Sequence, residues 1–224
     1  PQNHQNKMKF DYHPIVWLKG EKEWLAGQRL TCPVILIHSV LGNSLKDYPH
    51  LIAHWPSHQP LLAIQSVALK EPGYHAHSME KLAYDYLVFL RETDGFKDYQ
   101  GPWYFIGYSA AGTLAYEMAA QCQAQQQSAY VCCIDTPSVE HYKASSQLNY
   151  AQEFYSMMDA LFRKAALNLK RKVSSTEQLA EYPKSEQLAI YWHELLQRLS
   201  QTASEDEYHR ALGCYMSIFN LIQN

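Results

Sequence analysis

Between residues 33 and 135, short apolar runs alternate with stretches in which apolar residues recur at helical spacing. This alternation restricts the possible folds more than any other feature of the chain. Residues 33–38, 61–67, 103–108 and 129–134 read as buried strands, preceded by another at residues 15–18 and a turn region over residues 19–28. A helix through Leu51 and Ala53 must end near Pro56, whose ring removes a donor and clashes with the preceding turn. Ser78 is placed to cap a helix carrying Leu82, Tyr86 and Phe89, and a further helix spans about residues 110–123. Strands joined in this order by helices require right-handed crossovers, so an α/β class with a mainly parallel sheet covered on both faces is expected.

Past Asp135 the pattern becomes helical through Phe154, Met158, Phe162, Leu188, Trp192 and Leu195, with no Gly/Ser linker before it. The expected organisation is a polar lead at residues 1–13, a core at 14–138 and a helical lid at 139–224. With 224 residues, 47% of them hydrophobic, the chain suffices for one core and a cap. A formal charge of −3 offers no general attraction to nucleic acid or anionic lipid. No apolar run approaches the roughly 20 residues of a membrane-spanning helix, and the polar start has no signal-peptide core. Five cysteines without a CxxC pair (Cys32, Cys122, Cys132, Cys133 and Cys214) read as reduced, buried thiols, so a cytoplasmic location is expected. A chain that begins with Pro1 reads as a segment of something longer.

The strongest chemical signal is Gly107-Tyr108-Ser109-Ala110-Ala111-Gly112, between an expected strand and an expected helix. In a nucleophile elbow the chain turns so sharply that small residues must flank the serine, which is lifted above the carboxyl end of the sheet. Ala111 stands where glycine is usual, and Gly112 follows it. The alternative for Ser109 is a residue that merely caps the helix. A serine nucleophile needs a base, and the base needs an acid to orient it. Asp135, at the end of the next strand, is the candidate acid; otherwise it simply forms the turn in Asp135-Thr136-Pro137. Backbone amides can hold the developing oxyanion without titrating. The candidates are Ala110, directly after the serine, and Val40, in the loop after the strand at 33–38.

Here a family resemblance becomes specific. Ser39-Val40-Leu41-Gly42, the helix around Ala83, Tyr84 and Tyr86, the run from Gly101 to Ser109, Leu114-Ala115-Tyr116-Glu117-Met118-Ala119 and Ile134-Asp135-Thr136 resemble segments of one domain type. They are similar to the thioesterase domains that end nonribosomal peptide, polyketide and fatty acid synthases. The resemblance covers about residues 14–140. It implies an α/β-hydrolase fold with a C-terminal helical lid, and release of an acyl or peptidyl chain from a carrier-protein phosphopantetheine thioester by hydrolysis or cyclisation. It also implies an acyl or peptidyl carrier protein as partner, and no cofactor of the domain's own.

In that family the catalytic histidine lies on a loop after the lid and further strands. No such loop is visible, so the sheet reads as truncated before its last strands. His141, His193 and His209 are weak candidates for the base. The alternative reading is a catalytically incomplete α/β-hydrolase-like module that binds an acyl carrier or partner protein; an ordinary esterase or lipase is a third. Phe154, Met158 and Trp192 are candidates for an acyl channel under the lid. Arg163, Lys164, Lys170, Arg171 and Lys172 read as solvated surface, or else as a contact for an acidic carrier. His50, His54 and His58, interrupted by Pro56 and without a matching carboxylate, do not read as a metal site.

Overall fold

A computed structural model describes residues 12–138, apart from residues 30, 41, 72, 73 and 75. The elements are β1 (Ile15–Lys19), α1 (Glu21–Leu25), β2 (Val34–Ile37), α2 (Ser44–Asp47), α3 (Pro49–His54), β3 (Leu61–Ile64), α4 (Met79–Glu92), β4 (Trp103–Tyr108), α5 (Ala110–Ala124) and β5 (Ala129–Ile134). The sheet order is β1-β3-β2-β4-β5. β1 runs antiparallel to β3, and the other neighbours are parallel.

β2 and β3 are buried along their whole length, as strands with both faces covered must be. Ile35, Ile37, Leu62 and Ile64 face one way, into a core with Leu82, Tyr86, Leu114 and Met118 of α4 and α5. Val34, Leu36, Leu61 and Ala63 face the other way, against Tyr48, Leu51, Ile52 and Trp55. An aromatic stack closes the first core toward α1: Trp24 lies on Phe96 at 5.2 Å and Phe96 on Trp103 at 5.8 Å. The helix starts follow local chemistry. Ser78 Oγ accepts the Lys81 N–H at 3.1 Å, and Pro49 opens α3, where its missing N–H costs nothing.

Three details differ from the sequence reading. The strand expected at 61–67 ends at Ile64, and Val67–Leu69 forms a single 3₁₀ turn. The turn region at 19–28 contains the short helix α1, anchored by Trp24, which is only 1% exposed. Cys122 is buried as expected, but Cys132 and Cys133 are exposed. They lie on β5, the outermost described strand, where only Ala129 is buried. The lid region at 139–224 lies outside the described residues, as does the lead at 1–11.

Candidate functional site

Ser109 joins β4 to α5 in a single residue, with φ 55° and ψ −131°. Such a backbone is nearly closed to L side chains and costs about 1–3 kcal/mol, so surrounding contacts must over-determine it. Those contacts are present. The Ser109 N–H donates to Ile134 O at 2.9 Å, and the Gly112 N–H donates back to Ser109 O at 3.0 Å. One residue earlier, the Tyr108 N–H donates to Tyr48 Oη at 2.8 Å, and that hydroxyl donates to Ile37 O at 2.8 Å. Burial pushes the Tyr48 hydroxyl well above the usual range, so it stays protonated and bridges the ends of β2 and β4. Gly107 is required by the same turn: a Cβ there would stand 2.2 Å from Ala111 O. Ser109 stands at the N-cap position of α5 but makes no side-chain cap bond to it.

Asp135 leaves β5 beside Ser109, because Tyr108 of β4 pairs with Ile134 of β5. Its φ of 48° is left-handed, a conformation that aspartate tolerates better than most residues. Thr136 packs so closely on the first turn of α5 that a Cβ on Gly112 would stand 1.9 Å from Thr136 Oγ1. Gly112 therefore lets the segment after Asp135 sit against the serine's helix. Ala111, at the position where glycine is usual, fits into the core at 2% exposure.

The loop after β2 reaches the same edge, since Ile37 pairs with Gly107. Val40 and Ala110 each stand three residues beyond that pair. The Ala110 N–H is the first in α5 and has no intrahelical acceptor. Ser39 in this loop is tightly held. The Ser39 N–H and Oγ–H donate to Asp47 Oδ2 and Oδ1 at 2.7 and 2.9 Å, and the Gly42 N–H donates to Ser39 O at 3.0 Å. His38, 1% exposed, has Nδ1 at 2.8 Å from Ser39 O and Nε2 at 2.6 Å from Tyr86 Oη. A carbonyl only accepts, so Nδ1 carries the proton and the Tyr86 hydroxyl donates to Nε2. Burial lowers the His38 pKa to about 4, and the ring is neutral at pH 7. Burial likewise raises the Asp47 carboxyl, against the two bonds from Ser39.

The structure thus gathers Ser109, Ala110, Val40 and Asp135 at the carboxyl edge of three adjacent strands. His141, His193 and His209, the channel candidates Phe154, Met158 and Trp192, and the basic cluster at 163–172 lie outside the described residues. Sequence reasoning missed the supporting group of His38, Asp47, Tyr48, Tyr86 and Thr136. Tyr86 and Thr136 stood in the resembling segments without a supporting role assigned to them, and His38 carried a signal as a polar residue directly behind four apolar ones. Among the described residues no group of three His, Cys, Asp or Glu is arranged to hold a metal. His54 instead turns Nδ1 back to the His50 carbonyl at 2.8 Å.

Comparison with known proteins agrees with this architecture. A family model described as "Thioesterase domain" matches residues 32–210. Malpinin synthetase of Mortierella alpina is 33% identical over 129 residues, which cover 57% of this chain and 2% of the synthetase. Among solved structures, a four-domain nonribosomal peptide synthetase bound to AMP and glycine has a TM-score of 0.66 at 19% identity, covering 94% of this chain and 15% of that one. The NocB thioesterase domain, in covalent complex with a fluorophosphonate nocardicin G analogue, has a TM-score of 0.51 at 14% identity, covering 88% and 68%. These likenesses show an α/β-hydrolase fold, and the match over most of its length shows that the chain belongs to the thioesterase domain family.

Proposed function

We propose that this domain releases an acyl or peptidyl chain from a phosphopantetheine thioester on a carrier protein, with Ser109 as nucleophile. The observation that carries the reading is the backbone of Ser109, held at φ 55° with its hydroxyl uncommitted to the helix behind it. Strain of this kind persists where a reacting group must be presented.

In the first step Ser109 Oγ attacks the thioester carbonyl and gives its proton to a histidine outside the described residues. The amides of Val40 and Ala110 receive the developing oxyanion; one such donor is worth about 10²–10³ in rate. The tetrahedral intermediate collapses with cleavage of the C–S bond, and the histidine returns the proton to the departing pantetheine thiol. Water then hydrolyses the acyl-serine ester, or a nucleophile within the chain closes a ring. Asp135 orients the histidine and stabilises its charged form. The domain needs no cofactor of its own, since the substrate arrives on the carrier's phosphopantetheine.

The carrier-protein context draws support from the synthetase relative and from the four-domain synthetase neighbour. A cytoplasmic setting fits this chemistry, and among the described residues no helix is long and apolar enough to cross a membrane. The test is intact mass after exposure to a fluorophosphonate, alongside turnover of an acyl-pantetheine thioester. One adduct and turnover, both lost in Ser109→Ala, are expected. Labelling that persists in Ser109→Ala would overturn the assignment. Absence of both labelling and turnover, in this chain and in a version extended to the natural C-terminus, would replace it with the carrier-binding module.

A further inference from the structure

We infer that His38 and Asp47 are positioning residues that aim the Val40 amide at the oxyanion, by clamping the two peptide units around Ser39 from opposite ends. The inference rests on the proposed function. It adds two side chains that touch neither the substrate nor the serine.

The argument begins with the planarity of the peptide bond. Ser39 C=O and Val40 N–H belong to one trans unit and point in opposite directions, so fixing the carbonyl fixes the amide. Two donors hold that carbonyl: His38 Nδ1–H at 2.8 Å and the Gly42 N–H at 3.0 Å. The preceding unit is held through its own N–H by Asp47 Oδ2 at 2.7 Å, while Asp47 Oδ1 takes the Ser39 hydroxyl at 2.9 Å. With both units pinned, rotation about the Ser39 backbone bonds is blocked. No acceptor for the Val40 N–H is found among the described residues.

The clamp is itself anchored in the core. Tyr86, fully buried on α4, reaches His38 Nε2 at 2.6 Å, which keeps the proton on Nδ1, where Ser39 needs it. Asp47 ends α2, whose first residue, Ser44, is tied through its N–H to Gln65 Oε1 at 2.8 Å. The loop is therefore referenced to α4 on one side and to the end of β3 on the other. A preorganised donor of this kind is worth most when its direction is set before charge develops.

The experiment measures kcat and KM for an acyl-pantetheine thioester in wild type, Ser109→Ala, His38→Leu, His38→Asn and Asp47→Ala, with thermal melting of each. His38→Leu is expected to lower kcat by about 10- to 100-fold, a partial loss of one oxyanion donor, with KM within about twofold, because only transition-state binding is lost. His38→Asn places an amide N–H where Nδ1 stood and is expected to recover most of kcat. If His38→Leu fails to fold, the contrast of His38→Asn with His38→Gln, whose donor sits one bond too far out, reads the same geometry. Asp47→Ala is expected to lower kcat with little change in KM. Serine-dependent turnover that persists undiminished in folded His38→Leu and Asp47→Ala refutes the clamp and leaves the proposed function standing. Loss shared equally by His38→Leu and His38→Asn also refutes it, as loss of packing. Turnover unaffected by Ser109→Ala overturns the proposed function, and the clamp with it.

Discussion

Gly112→Ala sets two magnitudes against each other. Alanine in place of glycine inside a helix is worth about 1 kcal/mol, so local propensity alone says that α5 gains stability. The new Cβ, however, would stand 1.9 Å from Thr136 Oγ1, 2.7 Å from Cγ2 and 2.8 Å from Cβ. Rotating the threonine removes the first two contacts but leaves the third. Carbon–carbon contact needs about 3.5 Å, so the backbone at 136 must retreat by about 0.7 Å. Overpacking of this kind costs about 1–3 kcal/mol, which outweighs the propensity gain, and a net destabilisation of about 1 kcal/mol is expected. The retreat also carries Asp135, one residue away, from its place beside Ser109. Turnover should therefore fall more than stability does. The assay is a double-mutant cycle in urea with Thr136→Gly, followed by kcat for each variant. Because Thr136→Gly removes the clashing atoms, Gly112→Ala should become stabilising in that background, with a coupling of about 1–2 kcal/mol. If Gly112→Ala alone stabilises the chain and leaves kcat intact, α5 does not rest on residue 136 and the reasoning fails.

Three further expectations follow from the same geometry. Gly107→Ala places a Cβ 2.2 Å from Ala111 O and 2.4 Å from Ala111 C, backbone atoms that cannot rotate away. A loss of at least about 3 kcal/mol and of fluorophosphonate labelling is expected, read by urea melts and intact mass. Tyr48→Phe deletes the hydroxyl between Ile37 O and the Tyr108 N–H. The cost should be about 1–3 kcal/mol, with faster hydrogen exchange at Tyr108. His38 supplies a pH dependence of definite sign. Its pKa falls from 6.5 to about 4, so the folded chain holds fewer protons than the unfolded one between those values. Its contribution is complete above about pH 6.5 and is lost as pH falls to about 4, in total about 3 kcal/mol. Asp47, raised by burial, acts in the opposite direction and favours the folded state where it is protonated. Urea melts at pH 7 and pH 4.5 should show wild type losing about 2–3 kcal/mol relative to His38→Gln; a gap independent of pH contradicts the buried neutral ring.

Local pattern in the amino-acid sequence was enough for the strand-helix alternation, the Ser78 cap and the tight strand-to-helix turn at Gly107 to Gly112. Each rests on periodicity or on steric demands within a few neighbours, and these survive in any context. The meeting of Ser109 and Asp135 was also legible, because consecutive parallel strands end at the same edge of a sheet. Tertiary structure alone decided what holds that edge in place. Tyr48 lies 60 positions from the Tyr108 amide it accepts and His38 lies 48 from Tyr86, and no local pattern records pairs so distant. The same holds for Gly112: its chain neighbours show a small residue early in a helix, whereas its purpose is the space it leaves for Thr136. Burial of Cys132 and Cys133 was misjudged for a related reason. Apolar character describes what a strand tolerates, while exposure depends on which neighbours the fold brings against it, and β5 stands at the edge of the described sheet.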